Sequence, residues 1–109
     1  MEYAEGELPP NTEVIPAGSV LPNSAVAIVR TINKIIVYYQ DEHLELHYIV
    51  KSENFGFNWG KPQKVEGVTH QPRKGTALTA ITSEEKEILL SYQDTKSKIQ
   101  TVHVKVPKA

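Results

Sequence analysis

The sequence predicts an all-β fold made of two copies of one antiparallel unit. Short runs of β-branched and aromatic residues alternate with polar turn clusters along most of the 109 residues. The chain also repeats itself at a separation of 53. Tyr39-Gln40-Asp41 recurs as Tyr92-Gln93-Asp94, and Ala27-Ile28 falls on Ala80-Ile81. Ile35-Ile36-Val37 falls on Ile88-Leu89-Leu90, Leu46 on Ile99, and Ile49 on Val102. A period near ~50 residues with about four strands per unit marks a β-propeller blade. The competing architecture is a small β-sandwich or barrel with two similar hairpins.

Taken in order, residues 1–11 read as a flexible tail, because Glu2, Glu5, Gly6, Glu7, Pro9, Pro10 and Asn11 cannot build a core. Residues 12–20 read as an orphan outer strand around Val14-Ile15, stopped by Pro16-Ala17-Gly18. Residues 21–70 form the first blade. Its strands are Ala25–Val29, Ile35–Tyr39, Leu44–Val50 and one around Trp59–Val65. Leu44, Leu46, Tyr48 and Val50 share one parity, and Pro62 places the last strand at an edge. Residues 71–109 form a second blade of three strands, Ala77–Ile81, Ile88–Tyr92 and Ile99–Val106. Ser83-Glu84-Glu85-Lys86-Glu87 resembles a helix capping box. The short Ile88-Leu89-Leu90 run behind it favours strand–turn–strand. Asp41 and Asp94 end equivalent strands, where a carboxylate can cap the hairpin turn through local amides.

Two blades cannot close a propeller, since each blade buries its faces only against neighbours. The expectation is therefore a homo-oligomer, with a trimer favoured, or assembly with another propeller-forming chain. The second blade needs a fourth strand, and residues 12–16 are its candidate, paired with Ile99–Val106 within or between chains.

Composition narrows the function classes. Lys and Arg number 12 against 13 Asp and Glu, a formal net charge of −1. Nucleic-acid and anionic-membrane binding need a basic surface, so neither is expected. No apolar run is long enough to insert in a membrane. With no cysteine, disulfides, thiolate catalysis and Cys-based zinc sites are excluded. Met1-Glu2-Tyr3-Ala4-Glu5 is not a secretory signal, which points to the cytoplasm or to secretion without a classical signal peptide. No cofactor motif is present, neither a phosphate loop nor Gly-x-Ser-x-Gly.

Lys34-Ile35-Ile36-Val37-Tyr38-Tyr39-Gln40-Asp41, followed by Leu44-Glu45-Leu46-His47-Tyr48, resembles a blade of the Aleuria-type fungal and bacterial fucose-binding lectins. The Gly56-Phe57-Asn58-Trp59-Gly60 turn and the small-residue strand Ala25-Val26-Ala27-Ile28 fit the same pattern. The resemblance spans about residues 12–106. It implies a six-bladed propeller, in some members assembled from three two-blade chains, with sugars held between blades by an Arg, a Glu and aromatic rings. The charged positions differ here. Ile36 and Leu89 stand at the Arg position, Leu46 and Thr101 at the Glu position. The resemblance therefore implies the fold and leaves the usual fucose fork missing.

Six residues are candidate ligand contacts. Trp59, the sole tryptophan, can stack on a sugar face or pack against a neighbouring blade. Tyr38 and Tyr48 complete the aromatic set. Glu45 and His47 share a strand face and can form a polar fork, though exposed cross-strand partners often have this spacing. Arg30 follows the inner strand, where it can hold a ligand at the rim or make a surface ion pair. His43, His47, His70 and His103 show no metal-ligand spacing and read as hydrated surface histidines. Lys96, Lys98, Lys105 and Lys108 read as a solvated edge.

The leading functional expectation is a non-catalytic, lectin-like carbohydrate-binding module. The alternatives are a lectin-derived structural or protein-interaction module with erased sugar sites, and an enzyme subunit using the propeller tunnel as a small-molecule pocket.

Overall fold

The structure, a computed structural model, describes residues 20–31, 33–52, 59–83 and 87–107. Among these residues there are two antiparallel sheets and no helix. Sheet A runs β1 (Val26–Arg30), β2 (Lys34–Gln40), β3 (Leu46–Ser52) and β4 (Gln63–Lys64), each strand beside the next. Sheet B runs β5 (Leu78–Ser83), β6 (Glu87–Gln93) and β7 (Ile99–Lys105) in the same way. The tail and residues 12–19 lie outside the described residues, as do Gly56, Phe57 and Asn58 of the aromatic turn. Val20 is described, and it bridges to Asp41 at the end of β2.

The repeat is legible in the strand bounds. Adding 53 to β2 gives β6, and adding 53 to β3 gives β7. Lys34 pairs with Ser52 as Glu87 pairs with Lys105. The inner strands depart from the sequence alignment by one residue. Tyr39 pairs with Val26, whereas Tyr92 pairs with Leu78 rather than Thr79. The period through this region is therefore 52. Residues 31–34 separate the pair Arg30–Ile35, and residues 83–87 separate its equivalent Thr82–Ile88. The second connection thus carries the extra residue. With that shift Ser24, Ala25 and Val26 fall on Thr76, Ala77 and Leu78. Ser83 pairs with Glu87, so the acidic stretch joins two strands, as its short apolar flank implies.

The β2–β3 and β6–β7 turns are copies of each other. Asp41 Oδ1 accepts hydrogen bonds from the His43 and Glu45 amides at 2.9 and 2.8 Å. Asp94 Oδ1 accepts from the Lys96 and Lys98 amides, both at 2.9 Å. Each turn forces one residue into the left-handed region, Leu44 at φ 68° and Ser97 at φ 64°. Leu44 therefore belongs to the turn, and β3 begins at Leu46, two residues later than the parity pattern implies. At the far edge of sheet A, β4 is reduced to Gln63–Lys64 with a single bridge from Trp59 to Lys51. Pro62 lacks an N–H and interrupts the ladder between them.

The sheets pack on one apolar core. Ala27, Val29, Ile36, Tyr38, Leu46 and Val50 come from sheet A, and Leu78, Ile88, Leu90, Tyr92 and Val102 from sheet B. The two contributing faces are not equivalent in the repeat. Sheet A turns Ile36 and Tyr38 inward, and their repeat partners Leu89 and Ser91 point outward from sheet B. Sheet B turns Ile88, Leu90 and Tyr92 inward, the counterparts of Ile35, Val37 and Tyr39 on the outer side of sheet A. The sheets thus stack front to back. Each outer face repeats one side of the internal contact, and this explains the exposed large hydrophobic residues. Val26, 51 % exposed, stands where sheet B has the buried Leu78. Ile28 corresponds to the half-buried Ala80, Ile81 to the buried Val29, and Ile99 to the buried Leu46.

Candidate functional site

The described cavity with walls from both sheets is a cleft of about 470 Å³ between their outer strands. One wall is Tyr48 on β3 with Gln63 and Lys64 on β4; the other is the end of β7, His103, Val104 and Lys105, with Val106 and Pro107 after it. Glu66 also lines it. That volume falls within the ordinary range for small-molecule sites. Tyr48 reaches this wall because it shares the inward parity of β3 with Leu46 and Val50. Its ring packs against Tyr38 with centroids 5.9 Å apart and planes tilted by 46°. Burial, followed by the negative charge of Glu66, holds the Tyr48 hydroxyl above its ordinary pKa, so it remains a hydrogen-bond donor.

Tyr38 supports Tyr48 from behind. It is 0 % exposed, and its hydroxyl has no hydrogen-bond partner. The structure thus places this candidate in the inter-sheet core rather than on an open surface. Burial, and to a lesser degree Tyr48, raises its pKa far above the usual tyrosine value.

A smaller cavity of about 180 Å³ lies beside Glu45, Lys64, Val68, Thr69 and His70. Lys64 lines both cavities. Its ammonium sits 2.6 Å from Glu45 Oε2. The hydrogen bond from Lys64 is the main reason the Glu45 carboxyl is held below its usual range, and the same contact raises Lys64. Both side chains are open to solvent, so the pair is screened and adds little to stability.

The other candidates lie elsewhere. His47 stacks on Tyr39 with ring centroids 5.9 Å apart. Its Nδ1 is 3.3 Å from Asp41 Oδ2, without the alignment of a hydrogen bond. Trp59 bridges to Lys51 at the edge of sheet A, where the Lys51 ammonium lies 5.8 Å from the ring centroid. Arg30 is exposed at the end of β1, opposite Ile35. Register places His47, Trp59 and Arg30 on the outward parity of sheet A, away from Tyr48. The six candidates therefore do not form one site. Tyr48 and Glu45 line two cavities that share Lys64, and the rest are distributed over core and outer face.

Two positions at which the lectin resemblance expects charged groups can be located in sheet A. Ile36 and Leu46 are both buried in the inter-sheet core. A guanidinium or carboxylate there would be desolvated against apolar neighbours. Sequence reasoning passed over Lys64 and Glu66, because isolated charges in short or edge strands carry no spacing signal, and it read Lys105 only as part of a solvated edge. His103 lay in view only as a surface histidine. It is paired at 2.6 Å with Glu87 across β6 and β7.

Comparison with known proteins finds no matching family model, no matching curated protein and no matching solved structure.

Proposed function

We propose that the chain is a two-blade β-propeller unit that binds a carbohydrate, without turnover, in the cleft between its sheets. The observation that carries this reading is the cleft itself: the Tyr48 ring beside Gln63 and Glu66 on one side, faced by Val104 and Val106 on the other. A pyranose offers an apolar C–H face with hydroxyls at its edge. The aromatic ring meets the first, and the Gln63 amide and Glu66 carboxylate meet the second. The front-to-back stacking of the two sheets and the likeness of their strands to Aleuria-type lectin blades support the propeller reading. With Ile36 and Leu46 packed in the core, the ligand is not held by the fork that such lectins use for fucose.

The test is a glycan array followed by titration of any hit. The expected outcome is binding of a sugar other than free fucose, weakened tenfold or more by Tyr48→Ala and by Glu66→Ala. Binding that survives both substitutions would sink the assignment of this cleft.

A second reading is that the unit acts only as an interaction module whose sugar sites have been erased. It is favoured by the exposed Val26, Ile28, Ile81 and Ile99. No binding to any glycan, together with self-association, supports it.

A further inference from the structure

Each sheet carries the same pair of turns at one end. The first precedes the inner strand. Leu21 donates its amide to the Gln40 carbonyl at 2.9 Å, as Arg73 does to the Gln93 carbonyl at 2.9 Å. Ser24 donates to the Leu21 carbonyl as Thr76 does to the Arg73 carbonyl, and Asn23 has φ 61° where Gly75 has φ 73°. The second is the Asp-capped turn, residues 41–45 in sheet A and 94–98 in sheet B. In sheet B the two turns are laced together. The Thr95 amide donates to the Gln71 carbonyl at 3.1 Å, and Arg73 Nη1 donates to Ser97 Oγ at 3.0 Å. The buried Gln40 side chain holds the same segment from sheet A. Its Nε2 donates to the Arg73 carbonyl at 3.1 Å, and its Oε1 accepts from the Gly75 amide at 2.9 Å.

The backbones of the two pairs match and their charges do not. Lys98 stands where sheet A has Glu45, Lys96 where it has His43, and Thr95 where it has Glu42. Arg73 and Lys74 stand where sheet A has Leu21 and Pro22. Sheet B thus gathers Arg73, Lys74, Lys96 and Lys98 on two adjoining turns, and all four are exposed. Sheet A builds the same turns with no lysine or arginine, so the fold requires a cation at none of these positions. Among the described residues, no carboxylate forms an ion pair with any of the four. The acids beside them are already engaged. Asp94 is 3 % exposed and accepts from the Lys96 and Lys98 amides and from Gln100. Glu45, which lines a cavity with Gln71 and Pro72, is held by Lys64 at 2.6 Å. Glu42 lies 3.7 Å from His43.

Unneutralised like charges held side by side repel one another and attract anions. The Arg73 guanidinium spends one donor on Ser97, and its planar fork keeps others for a bidentate oxyanion. Thr95, Ser97 and Gln71 lie among the cations and offer hydroxyls and an amide to sugar hydroxyls. Neither turn contains an aromatic residue, so a nucleic-acid base has nothing to stack on. A chain of net charge −1 also lacks the extended basic surface that a duplex requires.

We propose that the paired turns 71–76 and 94–98 bind an acidic polysaccharide, whose sulfate or carboxylate groups pair with Arg73, Lys74, Lys96 and Lys98. The site is separate from the cleft between the sheets and does not rest on the reading of that cleft. Its contacts exchange counterions for ligand charges, so affinity falls as salt rises.

The experiment is isothermal titration of the full chain with dextran sulfate at low and at physiological salt, with neutral dextran as the blank. Dextran sulfate should bind, more weakly at the higher salt, and neutral dextran should not. Arg73→Gln/Lys74→Gln/Lys96→Gln/Lys98→Gln should weaken binding about tenfold or more. Arg30→Gln/Lys34→Gln/Lys51→Gln/Lys61→Gln removes the same charge elsewhere and should change it less than about twofold. Thr95→Glu/Lys98→Glu gives turn 94–98 the acids that turn 41–45 already carries, so it keeps the fold, and it should abolish binding. Circular dichroism melts establish that each variant is folded. Equal losses in the two four-site variants would reduce the effect to overall charge and overturn the site. No binding of dextran sulfate to the wild-type chain at low salt overturns it as well. Loss of that binding in Tyr48→Ala would place the polymer in the cleft and overturn the patch. Tighter binding of duplex DNA or polyglutamate than of dextran sulfate overturns the assignment to a polysaccharide.

Discussion

Leu46 and Ile99 occupy the same position in the two sheets, each opening the strand after an Asp-capped turn, yet Leu46 is 2 % exposed and Ile99 70 %. The difference arises because sheet B covers the inward face of sheet A, while the same face of sheet B points outward. Leu46→Ala should cost the isolated chain about 2–5 kcal/mol, as a cavity opens in packed core. Ile99→Ala should cost less than about 0.5 kcal/mol in the isolated chain, as expected of an exposed site. Denaturant titration at low protein concentration measures both. Near-equal losses would contradict the front-to-back packing.

Asp94 ties the turn of sheet B to its last strand. The Gln100 amide on Oδ2 at 2.9 Å, then the Lys98 and Lys96 backbone amides, hold its carboxyl below the usual range. A group with a depressed folded-state pKa stabilises the fold above its unfolded value. That contribution is lost as pH falls through the folded value. The guanidinium midpoint should therefore drop from about pH 4 downward. Asp94→Asn should lower the midpoint at pH 7 and flatten its decline in acid. An unchanged acid slope in the variant would remove Asp94 from the account.

Tyr38→Phe removes a hydroxyl that is buried and unpartnered. Deleting such a group abolishes its desolvation penalty and leaves the ring packing in place. The expected result is a gain of about 1 kcal/mol or no loss, read from thermal or denaturant unfolding. A loss above about 1 kcal/mol would mean that the hydroxyl is satisfied in solution.

Leu44 holds a left-handed backbone conformation at φ 68°. For a residue with a Cβ this costs about 1–2 kcal/mol. Glycine avoids that strain but adds unfolded-chain entropy of about 0.4–1 kcal/mol. Leu44→Gly should therefore stabilise the chain by a few tenths up to about 1 kcal/mol. Ser97→Gly at φ 64° is the matched experiment in sheet B. Destabilisation by both would show that these turns adopt another conformation.

The strands were legible because this fold announces itself locally. Val, Ile and Tyr runs between turn residues fix β2, β3, β6 and β7, and the repeated Tyr-Gln-Asp fixes their relation. Asp41 and Asp94 were legible as turn caps because a carboxylate at a strand end has few other local partners. The single-residue slip of β1 against β5 was not legible. Ala27-Ile28 matches Ala80-Ile81 by identity, and pairing with the neighbouring strand alone reveals the offset. Nor was the division of the candidate residues among core, cleft and outer face. Tyr38 and Tyr39 are adjacent and chemically alike, yet the pleat sends one into the inter-sheet core and the other to the opposite side. Trp59 and Lys64 lie on a broken edge whose course depends on Pro62, and periodicity carries no information there.

The buried amide of Gln40 gives the stack an index as well as an adhesive. Apolar surfaces attract without direction, and a sheet slid by one residue along another can still bury much of its area. An amide with a donor aimed at the Arg73 carbonyl and an acceptor aimed at the Gly75 amide tolerates no such slide. A displacement of one residue, about 3.3 Å along a strand, would leave those groups dry and unpaired. Each would then cost about 1–3 kcal/mol. One glutamine therefore converts a greasy contact with many near-equal offsets into a joint with a single allowed setting.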